Sequence, residues 1–110
     1  MNDCIFCMIA KGELPSTKLY EDDSLIAIRD INPVAPVHVL IIPKAHYNSV
    51  LELDDTAIIG QMTKVAKVLA VELGICEDGF RLAINTGKDA GQSVEHVHMH
   101  LIGGKELPWP

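Results

Sequence analysis

The hydrophobic periods along this chain of 110 residues predict an α+β fold, with two main helices and a mostly antiparallel five-stranded sheet. Three observations carry that reading. Ile58, Met62, Val65, Leu69 and Leu73 recur at three- and four-residue intervals in the middle of the chain, the period of an amphipathic helix. Short β-branched and apolar runs flank that helix, at residues 25–30 and 38–42 before it and 80–85 and 96–102 after it. Within the last run His96, His98 and His100 alternate with Val97, Met99 and Leu101, so a strand would carry three imidazoles on one face.

Taken in order, Asp3 stands where an N-cap belongs for a first helix over residues 4–11, with Ile5, Met8 and Ile9 as its apolar stripe and Gly12 as its stop. Residues 19–21 and 25–30 read as a hairpin around the turn Asp22-Asp23-Ser24. Asn32-Pro33 and Pro36 remove backbone donors and mark 31–37 as a loop, after which the strand 38–42 is ended by Pro43. Asp54 is the expected N-cap of the long helix, residues 54–73, closed by Gly74. A polar, glycine-bearing loop at 86–95 joins the last two strands. Helices are expected on one sheet face, covering Val97, Met99 and Leu101, with the histidines on the open face. No repeat, low-complexity tract or linker interrupts residues 1–110, so one domain is expected throughout.

Composition narrows the function. A formal net charge of -6 argues against nucleic acid as a partner, so a phosphate ligand would need a local pocket of backbone amides and histidines. No apolar run approaches the roughly 20 residues that span a membrane, and the start lacks a basic segment, so a cytoplasmic location is expected. A domain this small leaves much of its surface exposed, which favours self-association. Of three cysteines, the close pair Cys4 and Cys7 has the spacing of a zinc half-site. Cys76 follows the long helix with no partner nearby in sequence and is read as structural or incidental.

Three histidines on one face would be costly to bury without partners, so the run implies a site. Imidazole near its ordinary pKa serves as nucleophile, acid, base or metal ligand, and spacing alone does not separate these roles. The upstream segment Gly91-Gln92-Ser93 lets backbone N–H groups approach an anion, with a hydroxyl as a further donor.

Cys4-Ile5-Phe6-Cys7, Asp30-Ile31-Asn32-Pro33 with Ala35-Pro36 and His38, Ile42-Pro43-Lys44, Asn85, Gly91-Gln92-Ser93, residues 96–101, Gly103-Gly104 and Trp109-Pro110 span nearly the whole chain. Together they resemble the histidine triad (HIT) family, in its Hint-type branch and bacterial zinc-binding subgroup. The resemblance implies a HIT-like fold whose sheet runs continuously across a homodimer. It implies hydrolysis of purine nucleoside 5'-phosphoramidates and related nucleoside monophosphate conjugates, with AMP or GMP as product. His98 would be the nucleophile of a covalent nucleotidyl-histidine intermediate, with His38 and His100 flanking the phosphoryl group. Asn85, Ser93 and the amides near Gly91 and Gln92 would orient the phosphate, and Asp30 would accept from the ribose hydroxyls.

Phe6, Ile9, Ile28 and Ile31 match the base pocket of the family, Ile28 standing where many Hint-type pockets carry an aromatic residue. Glu95 also replaces a commonly aromatic residue, and its register points it away from the histidines. Trp109 matches a tail that reaches the partner subunit's active site. Cys4, Cys7, His46 and His96 match the ligands of one structural zinc per chain, and no catalytic metal is expected. The alternatives are a dinucleoside polyphosphate hydrolase of the same family, a zinc hydrolase with the triad as ligands, and a nucleotide-binding interaction module with vestigial catalysis.

Overall fold

A computed structural model describes residues 4–109, and Asp3, the expected first cap, lies outside them. The elements are α1 (Ile5–Ala10), β1 (Lys18–Glu21), β2 (Leu25–Arg29), β3 (Val37–Pro43), α2 (Ala57–Glu72), β4 (Phe80–Ala83) and β5 (Met99–Gly103). Short 3-10 turns at Val50–Glu52 and Lys88–Ala90 punctuate the connections. The five strands form one sheet in the order β1-β2-β3-β5-β4, every neighbouring pair antiparallel.

The two faces of that sheet are both covered, which corrects the expectation of helices on one face. Val39 and Ile41 of β3, with Leu25, Ala27, Met99 and Leu101, pack against Met62, Val65, Ala66 and Leu69 of α2. On the other face Ile26, Ile28, Leu40 and Ile42 pack under Phe6 and Ile9 of α1. The cause is plain in β2 and β3: both carry apolar residues at odd and even positions alike, and β3 is buried along its whole length. Such a strand needs cover on each side. The histidine face is therefore partly roofed by α1, and His96 and His98 are buried.

Element ends follow from local chemistry. Helix α2 begins at Ala57 rather than near Asp54, and it is the Asp55 carboxylate that accepts from Ala57 N, at 2.9 Å. It ends as expected at Gly74, where φ is +74°; Gly74 N donates to Val71 O and Ile75 N to Ala70 O, closing the last turn. Strand β5 starts at Met99, so His96 and His98 precede the regular ladder. In the register that pairs Met99 with Ile41, the position opposite Val97 is Pro43, which has no N–H to give. The Pro43 carbonyl is occupied by His96 Nε2–H, and Val97 N donates to Tyr47 O, both at 2.7 Å. The chain bends at His96, whose N donates to Val94 O at 2.9 Å, and beyond it Val97 and Met99 are buried while His98 and His100 line the cleft beneath α1.

Candidate active site and metal centre

The register of β3 against β5 sets Leu40 opposite His100 and His38 opposite Ile102, so His38 and His100 lie on one sheet face as diagonal neighbours. His98 follows on the same side, its ring centroid 5.0 Å from that of His100 and 5.0 Å from that of Phe6, which meets it edge-on. These rings close one end of a cleft of about 450 Å³ whose walls include Phe6, Ile9, Ile28 and Leu40, with Asp30 and Ser93 at its polar side. Leu14, Pro15 and Ser16, from the connection after α1, also line it.

Backbone partners of fixed polarity assign the proton on each ring. The carbonyl oxygen of His96 can only accept, so His98 Nδ1, 2.7 Å away, carries the proton and Nε2 presents its lone pair. Val34 N–H donates to His38 Nδ1 at 3.1 Å, so the His38 proton sits on Nε2. That Nε2–H faces His100 Nδ1 at 2.9 Å and Asp30 Oδ2 at 3.3 Å. His100 Nδ1 therefore accepts, and its own proton is on Nε2. Burial pushes the pKa of His38 and of His98 down. His100 is lowered to about 4 by burial and then by the neighbouring His98 and His38. The three imidazoles are neutral at pH 7.

His96 turns the other way. Its Nδ1 lies 3.2 Å from Cys4 Sγ and 3.5 Å from Cys7 Sγ, and His46 Nδ1 lies 3.2 Å from Cys7 Sγ. The four donor atoms all fall within 4.8 Å of one another. A tetrahedral zinc with Zn–S near ~2.3 Å and Zn–N near ~2.0 Å spaces its ligands by about 3.3–3.8 Å, so this thiolate and imidazole set fits that ion. The tautomers fit as well: His96 Nε2–H donates to Pro43 O and His46 Nε2–H to Asn48 Oδ1, both at 2.7 Å, leaving each Nδ1 as a lone pair facing the sulfurs. Cys4 and Cys7 bracket the first turn of α1, where Cys7 N also donates to Cys4 Sγ.

Asp30, His38 and His100 form a second group with converging donor atoms. There the Val34 N–H on His38 Nδ1 keeps a proton on Nε2, so the group is a hydrogen-bonded chain and not a set of lone pairs. The three triad histidines do not converge on one point: His96 faces the cysteines, His98 the cleft, and His100 both His38 and the cleft.

Of the remaining expected site residues, Ile31 stands 90% exposed at the rim of the cleft. Asn85 shares with His38 and His100 an adjoining recess of about 390 Å³ toward β4. Gly91 has φ +78° and ends the short turn before Ser93, while the Gln92 side chain bonds to the surrounding backbone. Trp109 is 91% exposed and lines neither cavity. Glu95 is exposed beside Cys4 and His46. A backbone carbonyl as acceptor for His98 is expected from its role as nucleophile, but the sequence does not identify it as His96 O, nor does it mark Val34 N–H, Pro43 O, or the pair Asn48 and Glu52 behind His46.

An antiparallel five-stranded sheet with two helices and a split row of histidines defines a histidine triad protein. The HIT domain model matches residues 11–107, and the chain belongs to that family. It is 47% identical over 110 residues to a 14 kDa zinc-binding protein of Zea mays, covering 96% of this chain and 85% of the relative. Among solved structures it is similar to a histidine triad protein from Clostridium difficile, with a TM-score of 0.96, 47% identity and coverage of 100% and 97%. It is likewise similar to a HIT family hydrolase from Clostridium thermocellum, with a TM-score of 0.94, 50% identity and coverage of 100% and 97%.

Proposed function

We propose that this chain is a nucleotidyl hydrolase that cleaves purine nucleoside 5'-phosphoramidates and related nucleoside monophosphate conjugates through a covalent adduct on His98. The observation that carries the reading is His98 Nδ1–H on the His96 carbonyl at 2.7 Å, which leaves Nε2 unprotonated at the end of the cleft. Its similarity to the HIT family hydrolase from Clostridium thermocellum supports the reaction class.

In the first half of the reaction His98 Nε2 bonds to the α-phosphorus as the bond to the leaving amine breaks. The bound phosphoryl charge raises the pKa of His100 from its ligand-free position, so that His100 takes up a proton from solvent as substrate binds, and this imidazolium gives a proton to the amine nitrogen and returns to neutral. In the second half water bonds to phosphorus, its proton passes to His100, and the bond to His98 breaks with release of AMP or GMP. Asp30 lines the cleft, with Oδ1 accepting from Asn32 N at 2.8 Å and Oδ2 3.3 Å from His38 Nε2, and the remaining lone pairs of its carboxylate are suited to ribose hydroxyls. Phe6, Ile9 and Ile28 supply apolar wall for a purine. Donors at Ser93 and Asn85 complement phosphate charge by position, which is most of what phosphoryl transfer demands, whereas the Gly91 and Gln92 amides, expected to share that task, already donate to Lys88 O at 3.0 Å and Gly87 O at 3.1 Å.

We further propose that Cys4, Cys7, His46 and His96 hold one zinc. Four protein ligands leave no open coordination position, so the metal's role is to fix α1 to the segment that leads into β5 and to the loop after β3 that carries His46. The working form is a single-domain homodimer with a sheet continued across an edge strand, in the cytoplasm; no described helix is long and apolar enough to cross a membrane. Intact-mass analysis during turnover of an adenosine phosphoramidate tests the chemistry. A nucleotidyl adduct is expected on the wild type and is lost in His98→Ala; full turnover by His98→Ala without adduct overturns the mechanism.

A further inference from the structure

Gln92 sits in the glycine-bearing loop but its side chain is spent on the protein. Its Oε1 accepts from Gly87 N at 2.8 Å, and its Nε2 donates to Val94 O at 3.0 Å, so one amide pins both ends of the loop that carries Ser93. The same Nε2 donates to Asn48 O at 2.6 Å, outside the loop. Asn48 is the residue whose Oδ1 accepts from His46 Nε2, and it is held in turn by Glu52, which accepts from Asn48 N at 2.6 Å and from Asn48 Nδ2 at 3.2 Å. A continuous hydrogen-bonded path thus runs from Glu52 through Asn48 to the metal ligand His46, and through Gln92 to the phosphate loop. The other end of the metal centre, His96, bonds to Pro43 O and Val94 O and so braces the same segments.

We propose that Gln92 is a positioning residue that couples the metal centre to the nucleotide cleft, so that zinc and nucleotide bind cooperatively. Metal on His46 Nδ1 fixes that ring, its Nε2–H fixes the Asn48 amide, and Asn48 O then holds Gln92, which sets the spacing of Gly87 and Val94. A nucleotide phosphate that orders the loop from the cleft side pulls the same path taut from the other end. Reciprocity is required: whatever factor zinc adds to nucleotide affinity, nucleotide adds to zinc affinity. The inference rests on the nucleotide-binding reading above.

Competition of the zinc-loaded protein against a chromophoric chelator, with and without saturating AMP, reads the coupling. In the wild type AMP tightens zinc by about five- to tenfold, within the usual range of such couplings. In Gln92→Ala and Gln92→Glu, folded by circular dichroism and still binding AMP by calorimetry, the gain falls below about twofold. Gln92→Glu keeps the acceptor for Gly87 N–H and removes the donors to Asn48 and Val94, so it serves where the alanine variant does not fold. Coupling of wild-type size in either folded variant overturns the proposal, because zinc then acts through the fold as a whole. An AMP-binding wild type whose zinc affinity ignores AMP also overturns it. A wild type that binds no AMP at all sinks the nucleotide reading, and this inference with it.

Discussion

His98 Nδ1 donates to the carbonyl oxygen of His96 across 2.7 Å, so the proposed nucleophile is oriented by backbone and the residue that supplies that carbonyl uses its ring elsewhere. In hydrolases where a carboxylate orients the histidine, one substitution removes the orienting group. Here none at position 96 does. His96→Ala keeps the carbonyl and deletes a metal ligand, and kcat with an adenosine phosphoramidate is expected to fall by about tenfold, as for loss of a supporting interaction. His98→Ala is expected to lose on the order of 10⁴-fold or more, as for loss of a nucleophile. Equal losses in the two variants, each with circular dichroism like the wild type, contradict this division of labour.

His38 acts on His100 through a hydrogen bond whose polarity comes from Val34 N–H. His38→Ala leaves His100 Nδ1 without its donor and lets the other tautomer compete, so kcat should drop by about 100-fold, the lower end for a positioned proton-transfer group. His38→Gln, which offers an amide N–H in the same region, should recover part of that loss. A pH–rate profile is the discriminating readout: its acid limb shifts in His38→Ala if His100 is the titrating group and stays in place if His38 is only packing.

Stability should depend on pH in a definite direction. His100 is held at about 4 in the folded chain against an ordinary value of 6.5, so between those limits the unfolded chain binds more protons than the folded one. Stability from this group is fully present above about pH 6.5 and is lost as pH falls toward about 4. His38 and His98, also lowered by burial, add in the same sense. Urea unfolding of the wild type and His100→Gln at successive pH values isolates the effect, because acid release of metal is common to both. The two should converge or cross as pH falls; a constant difference from pH 7 to pH 4 contradicts the shift.

The alternating run of residues 96–101 and the spacing of Cys4 and Cys7 were legible because both depend on side-chain type at short range. The strand pattern was legible in kind but misread in depth. Residues 25–28 and 39–42 are apolar without alternation, the mark of strands covered on both faces, and that pattern requires α1 opposite α2. The ladder's failure at His96 and His98 depends on which residue of β3 lies across from Val97, a register that pattern alone does not specify. The partners that fix every histidine tautomer are mostly main-chain groups, at Val34, Pro43 and His96, and a main-chain group leaves no trace in sequence.

Zinc removal should act first on α1. A helix of six residues is far too short to persist on its own, so it depends on Phe6 and Ile9 against the sheet and on the anchoring of Cys4 and Cys7. After chelation, exchange of the Met8 and Lys11 amides, which bond to Cys4 O and Cys7 O, should accelerate by at least about tenfold, as local opening approaches that of a frayed terminus. Amides of β3 paired with β5 should hold their protection. Uniform acceleration across both sets would mean that the metal supports the whole fold rather than the helix.

Gly103 and Gly104 close β5 for different reasons, and alanine at each should separate them. At Gly103 an added Cβ meets Ile75 Cδ1 at 2.9 Å and Ile75 Cβ and Phe80 Cβ at 3.3 Å, and the nearest of these is the far end of a side chain able to swing. At Gly104 φ is +95°, and the added Cβ meets Pro36 Cβ at 3.0 Å, part of a ring that has no rotamer to change. Gly103→Ala should cost about 1 kcal/mol, the lower end for overpacking a core. Gly104→Ala combines left-handed strain with a rigid contact and should cost about 2–4 kcal/mol. Because Pro36 lies in the loop before β3 that also carries Val34, displacement there should reach the His38 tautomer. Gly104→Ala should then slow turnover more than Gly103→Ala at a temperature where both remain folded, measured against urea midpoints of the same preparations; the reverse order contradicts the link through Pro36.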